Sequence, residues 1–276
     1  MTTARSQETP TAMIDRVASL LQSFDGHPRL TLAQISRLAN LPRSSAHRIL
    51  QRLVDLGWVE RDGFQYGLGM RMFELGSQVV RRDRAHQAAL PFLHALHRST
   101  GLTAHLSVLA SADVLHLERI GTRAETEPAW CPGGRQPAVH SAAGRALLAQ
   151  LDESEWPDLS FPPAATSYGV RGLTQLRREL DQVRERGGIA IDVQSCTAGI
   201  TAVAAPIGPV DAELCAAVSL CGPAGTMPTD KAIAAVRMAA MDIWYAASGV
   251  TRLRGRAVPP VSSLPPLDAP RVAARG

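Results

Sequence analysis

The side chains best equipped for chemistry in this chain are a group of arginines between Asp25 and Asp55. Arg29, Arg37, Arg43, Arg48 and Arg52 occur there with no Asp or Glu among them. Guanidinium groups gathered without counter-charges suit one class of partner above others, a run of phosphates. The spacing sharpens the point. Ser44, His47, Arg48 and Gln51 repeat at the three- and four-residue intervals that align side chains on one helix face, with Ser45 beside them and Arg43 and Arg52 at the margins. Ala46, Ile49, Leu50 and Leu53 repeat on another face and form a stripe to bury. An α-helix fits the major groove of duplex DNA, where Arg pairs in a bidentate manner with guanine and Gln with adenine. Ser44 and the helix N-terminus suit phosphate. The same pattern also describes an ordinary amphipathic helix with a solvated polar face, so the flanking elements have to decide.

Those elements read in a definite order. Ile14, Val17, Ala18 and Leu21 give Met13–Phe24 the rhythm of a one-sided helix, and Asp25-Gly26-His27-Pro28 breaks it. Thr31 and Gln34 match a capping box, which predicts a short helix over Leu32–Ala39. Asn40-Leu41 makes a turn, Pro42 suits the first turn of a third helix running to about Leu56, and Gly57 ends it. Trp58–Arg61 and Phe64–Leu68, separated by Asp62-Gly63, then read as a hairpin, with Arg61 near its turn within reach of a DNA backbone or minor groove. Capped helix, tight turn, basic helix and hairpin in this order spell a winged helix-turn-helix.

Beyond Gly69 the pattern changes. Helices are expected at Arg71–Arg84 and His86–Ser99, and a hairpin at Thr103–Leu109 and Val114–Ile120. Further helical patterns lie at Ala142–Gln150, Thr174–Arg186 and Thr229–Ser248, with strand candidates at Ile189–Val193, Ile200–Ile207 and Leu214–Leu220. This mixture indicates an α+β chain whose second half is a sheet with helices packed on it. The expected division is a disordered start at 1–10, a winged helix-turn-helix at 11–69, a linker helix at 70–85, a sheet domain at 86–250 and a disordered Pro- and Arg-containing tail at 251–276.

Charge follows the same division. The net charge is +4 over 276 residues, yet residues 1–86 carry +4, residues 87–250 carry −4 and residues 251–276 carry +4. Of the 29 basic residues only Lys231 is lysine, so arginine richness is partly compositional. Bias explains Arg over Lys, but not the missing carboxylates. The four cysteines form no CxxC pair, which disfavours a disulfide scaffold or zinc ribbon and fits a reducing cytoplasm. No apolar run approaches the roughly 20 residues of a membrane helix.

Catalysis is not expected. Ser141 or Cys131 would need a partner histidine, but no GxSxG elbow or Cys-His signature is present, and His140 and Ser141, adjacent on one helix, do not face each other. A metal site built on His94 and His97 with His86, His105 or His116 lacks a carboxylate or cysteine at ligand spacing, so no metal and no cofactor are expected. His140-Ser141-Ala142-Ala143-Gly144 opens a helix with small residues, which fits either a ligand approaching free backbone N–H groups or close helix–sheet packing.

In LTLAQISRLANLPRSSAHRILQRLVDLGWVERDGFQYGLG, HLSVLASADVLHLERI, SAAGRALLA, GITAVAAPIG and AAVSLCGP the chain resembles the IclR family of bacterial transcription regulators, from about Ile14 to Trp244. The resemblance implies an N-terminal winged helix-turn-helix, a linker helix and a C-terminal effector-binding domain with a GAF-like α/β fold. It implies homodimers or homotetramers on palindromic double-stranded operators, controlled by a small organic acid. By motif position the pocket residues fall on Ala142, Ala143, Asp192, Ala202, Ser219 and Cys221, the last two alternating along one strand so that they face the same side. Three departures from the family pattern stand out. Val139 precedes the small-residue helix where His is common, Ala202 and Cys221 replace frequent Cys and Ser, and the stretch from Asp192 to Gly199 is Val-Gln-Ser-Cys-Thr-Ala rather than acidic. A less polar site is expected to take a larger or more apolar effector, aromatic acids included. The competing reading is a small-molecule sensor whose helix-turn-helix is a protein-interaction surface.

Overall fold

The computed structural model describes residues 12–121, 131–164, 166–209 and 215–249, and the expected disorder at 1–10 and 251–276 lies outside them. Three helices come first, α1 (Met13–Gln22), α2 (Leu32–Leu38) and α3 (Arg43–Asp55), joined by a three-stranded antiparallel sheet of β1 (Leu30–Thr31), β2 (Val59–Asp62) and β3 (Gln65–Leu68) in the order β1-β3-β2. Leu20, Ile35, Ala46, Leu50, Val59 and Tyr66 close one core among these elements. The capping box forms as expected: Gln34 Oε1 accepts the Thr31 N–H at 2.8 Å, and Thr31 Oγ1 accepts the Gln34 N–H at 3.4 Å. These bonds satisfy donors that the first turn of α2 would otherwise leave unpaired.

The hairpin turn sits one residue later than expected. Asp62 pairs with Gln65, so Gly63 and Phe64, not Asp62 and Gly63, are the turn residues. Gly63 takes φ +57 and Phe64 keeps a negative φ, the signs of a type II′ turn with glycine first. The two-residue strand β1 was also not foreseen.

A thirteen-residue helix, α4 (Met70–Arg82), follows, and α5 (Arg84–Thr100) begins after a break at Asp83. The expected boundary near residues 85 and 86 is corrected by Asp83, whose carboxylate accepts the N–H groups of Ala85 and His86 and so starts the new helix.

The remaining strands form one six-stranded antiparallel sheet in the order β6-β5-β4-β9-β8-β7. Its members are β4 (Thr103–Ala110), β5 (Asp113–Ile120), β6 (Arg135–Pro137), β7 (Ala190–Val193), β8 (Ile200–Ile207) and β9 (Ala216–Pro223). The last runs past the expected Leu220 because Cys221, Gly222 and Pro223 still pair with β8. One face packs on α5 and α8 (Thr229–Ser248) through Leu93, Leu106, Val218, Leu220, Val236 and Ile243. The other packs on α6 (Ala142–Leu148) and α7 (Leu173–Glu185) through Leu147, Leu176, Leu180, Ala204 and Ala217. Helices on both faces bury the middle of the sheet, so polar side chains such as His105, Ser107, His116 and Ser219 sit in the interior rather than in water.

Candidate nucleic-acid interface and effector site

The buried stripe of α3 lies where its spacing puts it, with Ala46, Ile49, Leu50 and Leu53 in the core. Arg43, Ser44, His47, Arg48, Gln51 and Arg52 are exposed, and Ser45 is half-buried at the edge of the helix. Six of the seven polar residues expected on this helix therefore share one solvent-facing surface. Gln51 donates from Nε2 to Asp55 Oδ1 at 3.2 Å, a bond it must release before it can reach a base.

The hairpin adds Arg61 to this surface. Its Nε–H donates to Gly63 O at 2.9 Å, and its guanidinium lies 5.5 Å from the centre of the Tyr66 ring, a cation–π distance. Arg43, His47 and Arg61 line one trough between the start of α3 and the hairpin, with Thr31 and Phe64 at its sides. The hairpin carboxylates are neutralised on its other side: Arg29 pairs with Glu60 at 2.8 Å and approaches Asp62 at 3.7 Å. What remains is a cationic, hydrogen-bond-donating surface built on rigid elements.

The six expected effector residues gather on the α6 side of the large sheet. Ala142, Ala143, Ala202 and Cys221 belong to one buried cluster, Ala202 and Cys221 are paired across strands, and Ser219 pairs with Ala204 on β8. Asp192 is committed to its own loop. Its carboxylate accepts the N–H groups of Ser195 (3.0 Å) and Cys196 (3.3 Å), bonds the Ser195 hydroxyl, and lies 3.5 Å from Arg145. Arg145 is itself buried and donates from Nη2 to Ile191 O at 2.9 Å.

The small residues that open α6 have a packing reason as well. A Cβ on Gly144 would come within 2.3 Å of Ala138 O, so this helix can lie where it does only with glycine there. Ser141 caps the helix, its Oγ accepting the Gly144 N–H at 2.9 Å, a structural post and not that of a nucleophile.

The polar centre of this site extends beyond the expected residues: His105, Ser107, His116 and Gln136 are buried on the same side as Ser219. Ser107 Oγ and His116 Nδ1 lie 2.9 Å apart, the two imidazole centres 5.3 Å apart, and Cys221 Sγ is 3.9 Å from His105 Nδ1. Burial, with the neighbouring His116 and then Arg119, holds the His105 imidazole down at about 3. Burial brings His116 down to about 4 against a hydrogen bond with Gln136 that raises it. Both rings are neutral at pH 7, able to donate and accept hydrogen bonds without carrying charge. The signal was the alternation His105-Leu106-Ser107-Val108, whose polar half reads as a solvated face until a helix layer is known to cover it.

Cys196, near Asp192, is held at about 12 by burial and by that carboxylate, far from a reactive thiolate. The histidines considered for a metal are apart in role. His86 faces Glu118 at 3.1 Å, His97 faces Leu102 O at 2.9 Å, and His94 is exposed. Among the described residues no group of three or more His, Cys, Asp or Glu could hold a metal ion, and no helix is long and apolar enough to cross a membrane.

Comparison with known proteins gives the same division of labour. Residues 13–63 match the family model described as the IclR helix-turn-helix domain, and residues 77–245 match that described as the C-terminal domain of the bacterial transcriptional regulator IclR. The chain is 32% identical to the HTH-type transcriptional regulator BhcR of Paracoccus denitrificans, over 76% of this chain and 77% of that protein. It is 30% identical to XynR, an HTH-type transcriptional regulator of Escherichia coli, over 75% and 84% of the respective chains. Among solved structures it resembles an IclR homologue from Microbacterium hydrocarbonoxydans complexed with 4-hydroxybenzoate, with TM-score 0.74 and 28% identity over 86% of this chain and all of the other. These relatives are regulators rather than enzymes. With a helix-turn-helix that presents a cationic helix, and a sheet domain with a buried polar centre, the chain belongs to the IclR family of DNA-binding transcriptional regulators.

Proposed function

We propose that this protein works in the cytoplasm as a homodimer, or as a tetramer of paired dimers, on a palindromic operator whose occupancy a small organic acid controls. The observation that carries the DNA half of this reading is the solvent-facing row Arg43, Ser44, His47, Arg48, Gln51 and Arg52 on a helix whose other face is core. Arg48 and Gln51 read base edges. Arg43, Ser44, Ser45 and Arg52 hold phosphates, His47 lies between the two roles, and Arg61 reaches the backbone from the hairpin.

Support for two copies comes from α4. Met70, Phe73 and Val79 on this helix are 71%, 69% and 74% exposed, and Met72, Gly76 and Val80 continue the same apolar arc. A second α4 packed on that arc covers it and sets two recognition helices at a fixed separation, which a two-fold operator mirrors.

The effector seats among Ala142, Ala143, Ala202, Ser219 and Cys221, and Asp192 acts through the loop it fixes. A floor of alanines with two uncharged imidazoles favours a ring bearing a polar substituent over the smallest oxoacids. The relative complexed with 4-hydroxybenzoate supports an aromatic acid. Binding that prefers one dimer arrangement changes half-site spacing, with a coupling of about 1–3 kcal/mol. Calorimetric titration with benzoate-type acids, pyruvate and glyoxylate tests this. An aromatic acid is expected to bind tightest, and tight binding of pyruvate or glyoxylate alone overturns the effector assignment.

A further inference from the structure

Phe64 is the most exposed of the large apolar side chains described, at 85%, and it stands at the tip of the β2–β3 hairpin. Nothing in the fold needs a phenyl ring there. A type II′ turn asks only for glycine at its first position, which Gly63 supplies. The turn that carries the ring is nevertheless held in a defined place. The Arg61 bond to Gly63 O ties down the turn, Arg61 lies over the buried Tyr66, and the Arg29 pairings with Glu60 and Asp62 brace the opposite side.

The trough between this tip and α3 decides what the ring meets. Arg43 and His47 line it from α3, Arg61 and Phe64 from the hairpin, and Thr31, Leu32 and Ala33 from the start of α2. A DNA strand laid in that trough has cationic groups on both flanks for its phosphates. On duplex DNA the major groove lies on one side of any backbone strand and the minor groove on the other. With α3 in the major groove, the hairpin tip therefore faces the minor groove across that strand. A polar tip would be chemically adequate for backbone contact, whereas an apolar ring is matched to the minor-groove walls formed by deoxyribose carbons, and apolar wedges are an established means of entering this groove.

We propose that Phe64 is an apolar minor-groove contact, seated against the sugar walls next to the segment read by α3. This rests on the DNA-binding reading and adds to it a contact that carries no charge. That last property makes it separable. Replacing a phosphate-binding arginine reduces both the affinity and its dependence on salt, because fewer counterions are released. Removing an apolar contact lowers affinity at every salt concentration and leaves the dependence intact.

The experiment uses the full chain and a fluorescent duplex selected by the wild-type protein from a randomised library, so that wild-type binding itself controls for the DNA-binding reading. Anisotropy titrations across a salt series compare wild type, Phe64→Ala, Phe64→Trp and Arg61→Ala. The expected result for Phe64→Ala is about tenfold weaker binding, the lower end of what burying a phenyl ring is worth, with an unchanged salt slope. Phe64→Trp should retain most of the affinity and change its emission when the duplex is added. Arg61→Ala should lower the slope by about one. Because Phe64 touches solvent, thermal melting and solution mass of the Phe64→Ala protein should match wild type. Wild-type affinity in Phe64→Ala, a loss accompanied by a lower slope, or a loss that tracks a change in oligomeric mass overturns the proposal.

Discussion

At the scale of single residues the chain holds two kinds of polar side chain, and each makes its own prediction. Arg48 belongs to the exposed kind. If it pairs with a base, Arg48→Ala costs roughly 1–3 kcal/mol in operator binding and relaxes preference at one position, which a mutated-operator series would detect as a flattened response there. Unchanged affinity and preference would remove Arg48 from readout. His105 and His116 belong to the buried kind and make a prediction about stability. Their folded values of about 3 and about 4 lie below the ordinary imidazole value of 6.5. The unfolded chain therefore binds protons first as pH falls. Stability is full above about pH 6.5 and declines below it, approaching about 1.4 kcal/mol per pH unit for each ring until pH nears their folded values. Chemical denaturation between pH 7 and pH 5 should show this, and a His105→Gln, His116→Gln protein, where it folds, should show a shallower slope. The exposed kind was legible from spacing alone, since helix periodicity and missing carboxylates are local facts. The buried kind was not. Polar residues at alternate strand positions are indistinguishable in sequence from a wet face, and only the layer carrying α6, which packs on β4 and β5, makes them interior.

Elements were legible where a local signal terminates them. The capping box fixed the start of α2, and the apolar periods located α8 and β8 at their observed ends. Boundaries slipped where one side chain outweighed a pattern. Asp83 starts α5 two residues before the expected point, and Gly63 in its positive-φ position moves the hairpin turn by one residue. The short strands β1 and β6 exist only through pairing with distant partners, Tyr66 and Gln65 for β1 and Asp113 to Leu115 for β6, so no local pattern announces them. The element with most left to explain is α4, whose apolar arc faces solvent in the isolated chain. Phe73→Glu places a charge at the middle of that arc. Sedimentation should then find a lower oligomeric mass at the same concentration, and operator binding should weaken by more than tenfold because two half-sites are no longer held together. A mass equal to wild type would assign the pairing of copies to another surface.

At the scale of the whole molecule, charge is divided as function would require. The first 86 residues are basic, the following sheet-bearing segment is acidic, and an acidic segment is repelled by the phosphates that the basic one attracts. Orientation on DNA is thereby favoured before any base is read. This division was legible from composition, as was the family through its motifs. The proposed effector site was legible only in outline: Ala142, Ala143, Ala202, Ser219 and Cys221 lie on one side of the sheet, while the Asp192 carboxylate anchors its own loop. The most direct test of the central claim is the salt dependence of duplex binding for the wild-type chain and for a chain with Arg43, Arg48 and Arg52 replaced by Ala. The logarithm of wild-type affinity should fall linearly and steeply with the logarithm of salt, and the triple replacement should flatten the line while the fold still melts cooperatively. Wild-type protein that binds no duplex at low ionic strength, or a triple variant with the same line, would contradict it.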